Sequence, residues 1–370
     1  DEHLNLTIGR SQMNLGPGSF SQLLISDQPD FLDYLSLRAA WDPFVYNAQF
    51  ISLDPALLPG QIDGPDAVRS FFLHRFEISV LDNRVNLGVT EGLMTGGVQP
   101  ELKDFNPITI FHNFMNWDHA SSILSLEATI NPWRYTRLYG QYVFTRVPVD
   151  YEQKVYNETE NPFGRGYLAG IDAKIPLGPG HLGVLAEFYY TDPFLYLRET
   201  PYVSYAWHRR VLSNVLGSGA VATVSKPLGY AYGTDAYNVF GRVEYNVTDR
   251  LGGGISANWA ALGENTIDGT FRKGNAAVQL ATPSGTPEYR LELALDAGWQ
   301  PFEWLRLEGG LAWMYRQNAR HVAGAVVMDL QPNLGVEFNI GRNVRGMQKR
   351  TKESSCHASK VVAGCDFGDG

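Results

Sequence analysis

The sequence has almost no cysteine, and the two that it has lie close to its end. Cys356 and Cys365 fall within the last 15 of the 370 residues, so no thiol occurs before them. A chain that avoids stray thiols suits export to an oxidising compartment, although low cysteine usage is also ordinary in bacterial proteins. Two cysteines alone supply too few ligands to favour a redox or metal site.

Long apolar runs are also lacking. No uninterrupted apolar stretch reaches the roughly 18 residues of a membrane-spanning helix, and the mean hydropathy is −0.20. These absences do not exclude a transmembrane β-barrel, because only every second residue of a barrel strand faces lipid. The chain begins Asp1-Glu2-His3 without a basic and apolar leader, which indicates a mature, trimmed or fragmentary form.

Basic charge and catalytic patterns are scarce as well. The 30 Lys and Arg residues against 39 Asp and Glu give a net charge of −9, which argues against broad nucleic-acid binding. The eight histidines are scattered, no HExxH pattern occurs, and Gly217-Ser218-Gly219 is not a nucleophile elbow. The sequence therefore predicts no enzyme, no cofactor and no metal site. A hydrolase whose Ser and His meet only in space is the minor alternative.

What the sequence does have is alternation of apolar and polar residues. From Glu288 to Gln300, EYRLELALDAGWQ, one face carries Arg290, Glu292 and Asp296, and the other is apolar. The apolar face consists of Tyr289, Leu291, Leu293, Leu295, Ala297 and Trp299. A period of two is typical of a strand with one polar side. The alternation resumes after residues 301–303, which predicts a hairpin with aromatic residues at both strand ends, as the girdles of a membrane barrel require.

The same hairpin unit recurs along the chain. Short turns at about seven places, among them 42–43, 82–84, 131–133 and 248–250, alternate with long polar segments. The long segments lie near 16–31, 54–67, 95–118, 148–163, 190–235, 262–287 and 316–323. Strands of roughly 10 residues, with short turns at one end and long loops at the other, are typical of an outer-membrane barrel. A soluble β-sandwich or jelly roll is the alternative, but its strands are shorter, about 5–6 residues.

The fold class follows from this pattern. We predict an all-β, antiparallel transmembrane outer-membrane β-barrel of about 16 strands, and up to 18 in a full-length form, with long extracellular and plugging loops. Charged pairs on the presumed lumen face, such as those at 75–77 and 242–244, are expected to pair across strands and stiffen the lumen. The barrel is assigned to 1–345, which allows for truncation at either end. Residues 346–370, which alternate poorly, are assigned to a non-barrel tail that is disordered or foreign.

Two stretches resemble the Wzi family of outer-membrane proteins involved in capsule assembly. The first is Gly9-Arg10 followed by NLGPGSFSQLLISD at 14–27. The second, at 74–113, matches in His-Arg-Phe-Glu, in Thr90-Glu91, and in Asn106-Pro107 with Phe111-His112. The resemblance implies a barrel of about 16–18 strands with plugging loops, and a non-enzymatic, lectin-like surface that holds capsular polysaccharide on the cell. The Gly-Pro-Gly corner at 16–18 is expected to turn the chain at the rim into a loop that folds over or into the lumen.

Candidate polysaccharide-binding residues come from two sources. The stretches that resemble the family contribute Arg10, Arg75, Glu91, Asp104 and Asn106. The long segment 190–235 contributes aromatic and cationic side chains, because sugars stack on aromatic rings and accept paired hydrogen bonds. These residues are Tyr202, Tyr205, Trp207, Arg209 and Arg210. The alternative for each aromatic residue is that it belongs to the girdle or packs the loop down as a plug.

The leading functional hypothesis is a protein of the bacterial outer membrane that binds or anchors capsular or other surface polysaccharide. Its expected partners are that polysaccharide and outer-membrane lipid, with no nucleic acid, and the expected state is a monomer. A porin or solute channel is the runner-up, because the presumed lumen face is charged. A surface adhesin that has reused the barrel is the third possibility.

Overall fold

The structure, a computed structural model, describes residues 3–54, 68–106, 111, 119–145, 164–198, 201–213, 220–269 and 281–339. The tail predicted at 346–370, with both cysteines, lies outside these residues. None of the helices in the described ranges is long and apolar enough to cross a membrane.

Fourteen antiparallel strands form one sheet in which strands adjacent in the chain are paired. They are β1 (Leu4–Ser11), β2 (Leu32–Trp41), β3 (Phe44–Leu53), β4 (Arg69–Val80), β5 (Val85–Gly96), β6 (Ala120–Trp133), β7 (Thr136–Thr145), β8 (Gly164–Leu177), β9 (Gly180–Thr191), β12 (Ala236–Thr248), β13 (Leu251–Leu262), β14 (Glu288–Phe302), β15 (Leu305–Gln317) and β16 (Val326–Phe338). β10 (Ala206–Ser213) and β11 (Ala220–Pro227) form a separate hairpin, so β9 pairs directly with β12. β1 and β16 are the edges of the described sheet.

The two faces of the sheet differ as the alternation predicts. Large apolar side chains are exposed on the outward face, where Ile8 is 81% and Leu295 is 53% exposed. The inward face carries buried polar residues such as Gln141, Glu187 and Glu292. An apolar exterior around a polar interior is the arrangement of a membrane barrel. The predicted all-β antiparallel barrel is confirmed; the described residues contain 16 strands, of which 14 form the wall.

The connections at the two ends of the wall differ in length. Within the described sheet, six tight turns join strands at one end, and seven long connections join them at the other. Long loops are extracellular in outer-membrane barrels, and we call that end the rim. Trp299 and Trp304 are about half exposed beside the tight turn at 303–304, as expected of a girdle. The turn predicted at 131–133 is wrong by two residues, because β6 continues through Trp133 and accommodates Pro132 at a shift in register.

The lumen next to the rim is filled by a hydrophobic core. Inward residues of the wall, including Phe71, Met94, Tyr139 and Leu168, contribute one part of it. Two loops contribute the rest: residues 12–31, which we call the plug loop, and residues 192–235, which we call the hairpin loop because they contain β10 and β11. The plug loop supplies Leu23, Leu24 and Ile25, each at most 1% exposed. The expected loop that enters the lumen is therefore present.

Two arginines hold triplets of strands together below this core. Arg242 of β12 crosses β13 and donates from Nη1 and Nη2 to the carboxylate of Asp296 on β14, at 2.7 and 2.9 Å. Arg75 of β4 crosses β5 and reaches Glu127 of β6 at 2.9 and 2.7 Å. We call these arrangements the arginine clamps. They confirm the expected cross-strand pairing of lumen charges.

In each clamp, a glycine on the middle strand leaves room for the guanidinium to cross that strand. A Cβ at Gly254 would lie 2.8 Å from Nη2 of Arg242, and a Cβ at Gly88 would lie 3.2 Å from Nη2 of Arg75. Such approaches are below or at the edge of normal van der Waals contact, so a larger residue displaces the guanidinium and breaks its paired hydrogen bonds with the carboxylate.

We expect Gly254→Ala to lower the temperature at which the folded barrel unfolds. Hydrogen bonds to charged groups contribute about 1.5–3 kcal/mol each, so a loss of a few degrees is expected as the clamp is displaced. The shift of the folded band on denaturing gels after stepwise heating measures it. Gly309→Ala is the matched control, because a Cβ at Gly309 meets no atom within 4 Å. An equal loss in both variants would contradict a clamp.

Candidate functional site

The plug loop is fastened to the lumen wall by one buried carboxylate. Glu187 of β9 accepts hydrogen bonds from the backbone N–H groups of Ser19 and Phe20, at 2.6 and 2.8 Å. Its other donors are the hydroxyls of Tyr139 and Tyr189, at 2.5 and 3.1 Å. Glu187 is only 2% exposed, and a buried carboxylate is stable only when hydrogen bonds replace its hydration. The Glu187 carboxylate, which we call the Glu187 anchor, therefore binds the plug loop, and the N–H groups of the loop in turn stabilise the buried charge.

The Gly-Pro-Gly corner gives the plug loop the shape to reach this anchor. Gly16 has φ of +145°, which strongly favours glycine, and a Cβ there would lie 2.2 Å from the side chain of Gln22. Gln22 in turn donates to the carbonyl oxygen of Gly18 at 2.5 Å. Further along, Leu23 N–H donates to Gln141 of β7 at 2.9 Å. The corner thus lays the loop across the inner wall from β7 to β9.

The hairpin loop closes over the plug loop from the rim side. Tyr196 donates its hydroxyl proton to the carbonyl oxygen of Leu23 at 2.5 Å, and Ser21 Oγ accepts from the N–H of Ala231 at 3.0 Å. Ser26 donates to the carbonyl oxygen of Gly229. The two loops therefore form one hydrogen-bonded body in the outer part of the lumen.

A cluster of partly exposed charged residues and aromatic rings lies where this body meets the rim. We call it the rim cluster, and its members are Arg10, Asp30, Phe31, Asp33, Trp207, Arg209 and Lys226. It joins the end of β1 and the start of β2 to the β10–β11 hairpin. Three segments distant in the sequence thus contribute to one surface.

Paired charges position the cations of the rim cluster. Arg10 donates from Nε and Nη2 to the carboxylate of Asp33, at 2.6 and 2.7 Å. The Asp30 carboxylate accepts hydrogen bonds from Nη1 of Arg209 at 3.1 Å and from Nζ of Lys226 at 2.7 Å. The Lys226 ammonium, with a further contribution from Arg209, lowers the pKa of the Asp30 carboxyl below its ordinary value, so Asp30 is ionised at neutral pH. The three cations exceed the two carboxylates by one charge.

Two aromatic rings lie between these charges. The guanidinium of Arg10 lies 4.3 Å from the centroid of the Phe31 ring, and that of Arg209 lies 5.5 Å from it. Phe31 packs edge-on against Trp207 at 6.0 Å, and Nζ of Lys226 lies 5.8 Å from the Trp207 ring. Cations over aromatic rings are held at fixed positions at a modest gain in energy. The cluster therefore presents ordered hydrogen-bond donors and acceptors to solvent.

Comparisons with known proteins agree with this architecture. No protein-family model matches the sequence, and no curated protein is detectably similar to it in sequence. Among solved structures, the chain is similar to Wzi from Escherichia coli, an outer-membrane protein involved in group 1 capsule assembly that is a carbohydrate-binding β-barrel. The TM-score is 0.59 at 15% identity, over 91% of this chain and 68% of that one. The chain has the fold of that barrel.

More distant matches are transport barrels. The FrpB iron transporter from Neisseria meningitidis gives a TM-score of 0.34 at 9% identity, over 84% of this chain and 58% of that one. A FadL homologue from Pseudomonas aeruginosa gives 0.29 at 13% identity, over 90% and 85%. Scores this low do not distinguish one barrel function from another. The predicted resemblance to a capsule assembly barrel is confirmed at the level of the fold.

The structure brings three of the predicted site residues together. Arg10, Trp207 and Arg209 all belong to the rim cluster, although 197 positions separate Arg10 from Trp207 in the chain. Trp207 is only 3% exposed, so its ring supports the cluster from beneath. Arg210 pairs through its backbone with Thr223, and its side chain lies outside the described part of the structure.

Tyr202 and Tyr205 have structural contacts inside the hairpin loop. Tyr205 is 1% exposed and donates to the carbonyl oxygen of Ser121 at 2.5 Å. Tyr202 stacks on His119 with 6.1 Å between ring centroids. Both positions fit the alternative in which loop aromatics pack the loop down. A role for them in sugar binding stays a prediction.

The remaining predicted residues lie in three other places. Arg75 is in an arginine clamp of the inner wall. Glu91 is on the outward side of β5, where it accepts from the N–H of Phe111 at 3.1 Å. Asp104 accepts from the N–H of Glu101 at 2.8 Å within a short turn outside the wall, which Asn106 ends. Their contribution to polysaccharide binding also stays a prediction.

Sequence reasoning missed Asp30, Phe31, Asp33 and Lys226. Asp30 and Phe31 end the polar loop after the Gly-Pro-Gly corner, and Asp33 follows it directly. This position offered a signal, since such a loop ends at the rim. Lys226 offered none, because the hairpin that carries it was assigned to an irregular loop. His208, which pairs with Ser225 across the hairpin, adds no charge to the cluster, because burial, with a smaller effect of Arg69, lowers the pKa of its imidazole to about 3. Within the described ranges, no three His, Cys, Asp or Glu side chains gather as metal ligands.

Proposed function

We propose that this protein is a lectin-like barrel of the bacterial outer membrane that binds and anchors capsular or other surface polysaccharide. The observation that carries the proposal is the rim cluster, an ordered group of donors and acceptors at the extracellular end of a barrel. The structural similarity to a carbohydrate-binding barrel, at 15% sequence identity, supports the barrel fold on which the proposal depends. The proposed unit is a monomer surrounded by outer-membrane lipid.

The chemistry of the rim cluster suits a hydroxylated, acidic polymer. Guanidinium groups donate to carboxylate oxygens and to sugar hydroxyls, and the Asp30 and Asp33 carboxylates accept from sugar hydroxyls. The side chains of Arg10, Arg209 and Asp30 are 61%, 46% and 45% exposed, so a ligand can reach them. The role proposed for them is binding without bond cleavage.

The filled lumen bears on the alternatives. A porin or solute channel needs a continuous polar path, whereas the plug loop and the hairpin loop pack an apolar core into the outer part of the lumen. This packing favours a surface binding protein over an open channel. A surface adhesin would use the same rim, and binding to a host matrix protein would distinguish it.

The test follows polysaccharide in cells that lack the gene. We expect the polymer to move from the cell-bound fraction to the medium while total synthesis stays equal, because the surface loses its anchor. Complementation with the unchanged gene should restore the cell-bound fraction. An unchanged partition between cells and medium would refute the anchoring role and leave channel conductance as the next measurement.

A further inference from the structure

Two ionisable residues lie on the outward side of the wall below the rim. His74 of β4 and Glu91 of β5 are opposite each other in the register. Their chain neighbours Arg75 and Thr90 point into the lumen, where Arg75 Nη1 donates to Thr90 Oγ1 at 3.0 Å. Because side chains alternate along a strand, His74 and Glu91 point outward. Ionisable groups on a lipid-facing surface are costly unless something covers them.

Phe111 covers this pair. Its ring stacks on the imidazole of His74, with 4.4 Å between centroids and 27° between planes. Its backbone N–H donates to the carboxylate of Glu91 at 3.1 Å. His74 is 7% and Phe111 is 1% exposed. Phe111, in the long connection between β5 and β6, therefore lies against the outside of the barrel.

A short 3₁₀ helix, Leu102–Phe105, lies on the same outer surface. The ring of Phe105 contacts Phe50 of β3 and Phe72 of β4, each at 5.1 Å between centroids. Both partners share the outward face with Phe76, which is 58% exposed. The apolar surface of the wall thus continues without a break onto the helix. We call residues 98–106 together with Phe111 the outer strap.

The helix separates its apolar and polar side chains. In a 3₁₀ helix residues three apart lie one above the other, so Leu102 and Phe105 share one side. Leu102 is 92% exposed and Phe105 is 45% exposed. Lys103, on another side, is paired with Glu101 at 2.7 Å. A fully exposed leucine beside a lipid-facing wall is unfavourable in water and favourable in lipid.

We propose that the outer strap is a lipid-contact element that inserts Leu102 and Phe105 into the outer leaflet. Its partner is the boundary between the acyl chains and the head groups, because the strap extends the surface that the barrel already presents to lipid. The strap also shields His74 and Glu91 from that lipid. This proposal depends on the barrel fold and not on polysaccharide binding.

Spin labels test the insertion. Leu102→Cys and Lys103→Cys are made in a chain with Cys356→Ser and Cys365→Ser, labelled with a nitroxide, and placed in liposomes of outer-membrane lipid. We expect the label at 102 to be relaxed more by oxygen than by a water-soluble nickel chelate, and the label at 103 to show the reverse. Ile130→Cys, on the outward wall at 43% exposure, supplies the lipid reference.

Water accessibility at both strap positions would overturn the proposal and indicate a strap that faces solvent or a protein partner. The side chains replaced at positions 102, 103 and 130 are exposed, so folding should not change on labelling there. The shift of the folded band on unheated gels checks this for each labelled variant before the relaxation measurement.

Discussion

Glu187→Ala is expected to detach the plug loop and turn a silent barrel into a conducting one. The substitution leaves the backbone N–H groups of Ser19 and Phe20 and the hydroxyl of Tyr139 without their acceptor, whereas the Tyr189 hydroxyl still donates to the carbonyl oxygen of Ser21 at 2.9 Å. Each buried donor left unpaired costs about 1–3 kcal/mol. A total of about 4 kcal/mol would raise the population of the detached loop roughly thousandfold. Planar-bilayer recordings at constant voltage should show stepwise openings that the unchanged protein lacks.

Glu308→Ala is the matched control for this experiment. It removes a lumen carboxylate of the same charge, which pairs with Arg306 at 2.7 Å near the tight-turn end of β15. A label on Ser21→Cys, a plug-loop position where serine is 2% exposed, gives a second measurement that does not depend on conductance when made in the chain without the other cysteines. If neither conductance nor labelling of Ser21→Cys rises in the Glu187→Ala barrel, the carboxylate does not hold the loop.

The double substitution Arg10→Ala and Arg209→Ala is expected to abolish most of the affinity for surface polysaccharide. A charge-assisted hydrogen bond contributes about 1.5–3 kcal/mol, which corresponds to at least a tenfold loss of affinity for each arginine. Retention of the purified barrel on immobilised polysaccharide from the producing cells measures the loss. Each single variant should show an intermediate value.

Arg306→Ala controls for the removal of an arginine as such. The Arg306 side chain is 46% exposed, as that of Arg209 is, and both are paired with a carboxylate. Arg306 belongs to the tight-turn end of β15, away from the rim. If the double variant and the control are both fully retained on the polysaccharide, the rim cluster is not part of the binding surface. Equal losses in both would indicate a general charge effect.

The wall of the barrel was predictable because its physics is local. Alternation along β14 places Leu293 and Leu295 outward and Glu292 inward, and each assignment follows from a period of two. Turn-forming residues indicated where the tight turns lie, and polar composition indicated where the long connections lie. The predicted lumen pairs at 75–77 and 242–244 appear in both arginine clamps, because charges on one face of neighbouring strands must find partners.

The filling of the barrel was only partly predictable because it depends on distant contacts. The glycines of the plug loop indicated a corner, yet nothing near Ser19 in the sequence identifies Glu187 as its acceptor. The hairpin of β10 and β11 lay in a segment without clear alternation, so it was assigned to an irregular loop. Lys226 joins the rim cluster only through that hairpin. Tertiary contacts, not local pattern, decide these positions.

The sequence distance between the plug loop and its anchor constrains the order of assembly. Ser19 and Glu187 are 168 residues apart, and closing so long a loop is slow compared with forming hairpins between neighbouring strands. The first hairpin can pair early, but its plug loop has no acceptor until β9 has joined the sheet. Until then Leu23, Leu24 and Ile25, which are buried in the finished barrel, are in contact with water. The plug loop is therefore expected to be among the first segments of this protein to be translated and among the last to be buried.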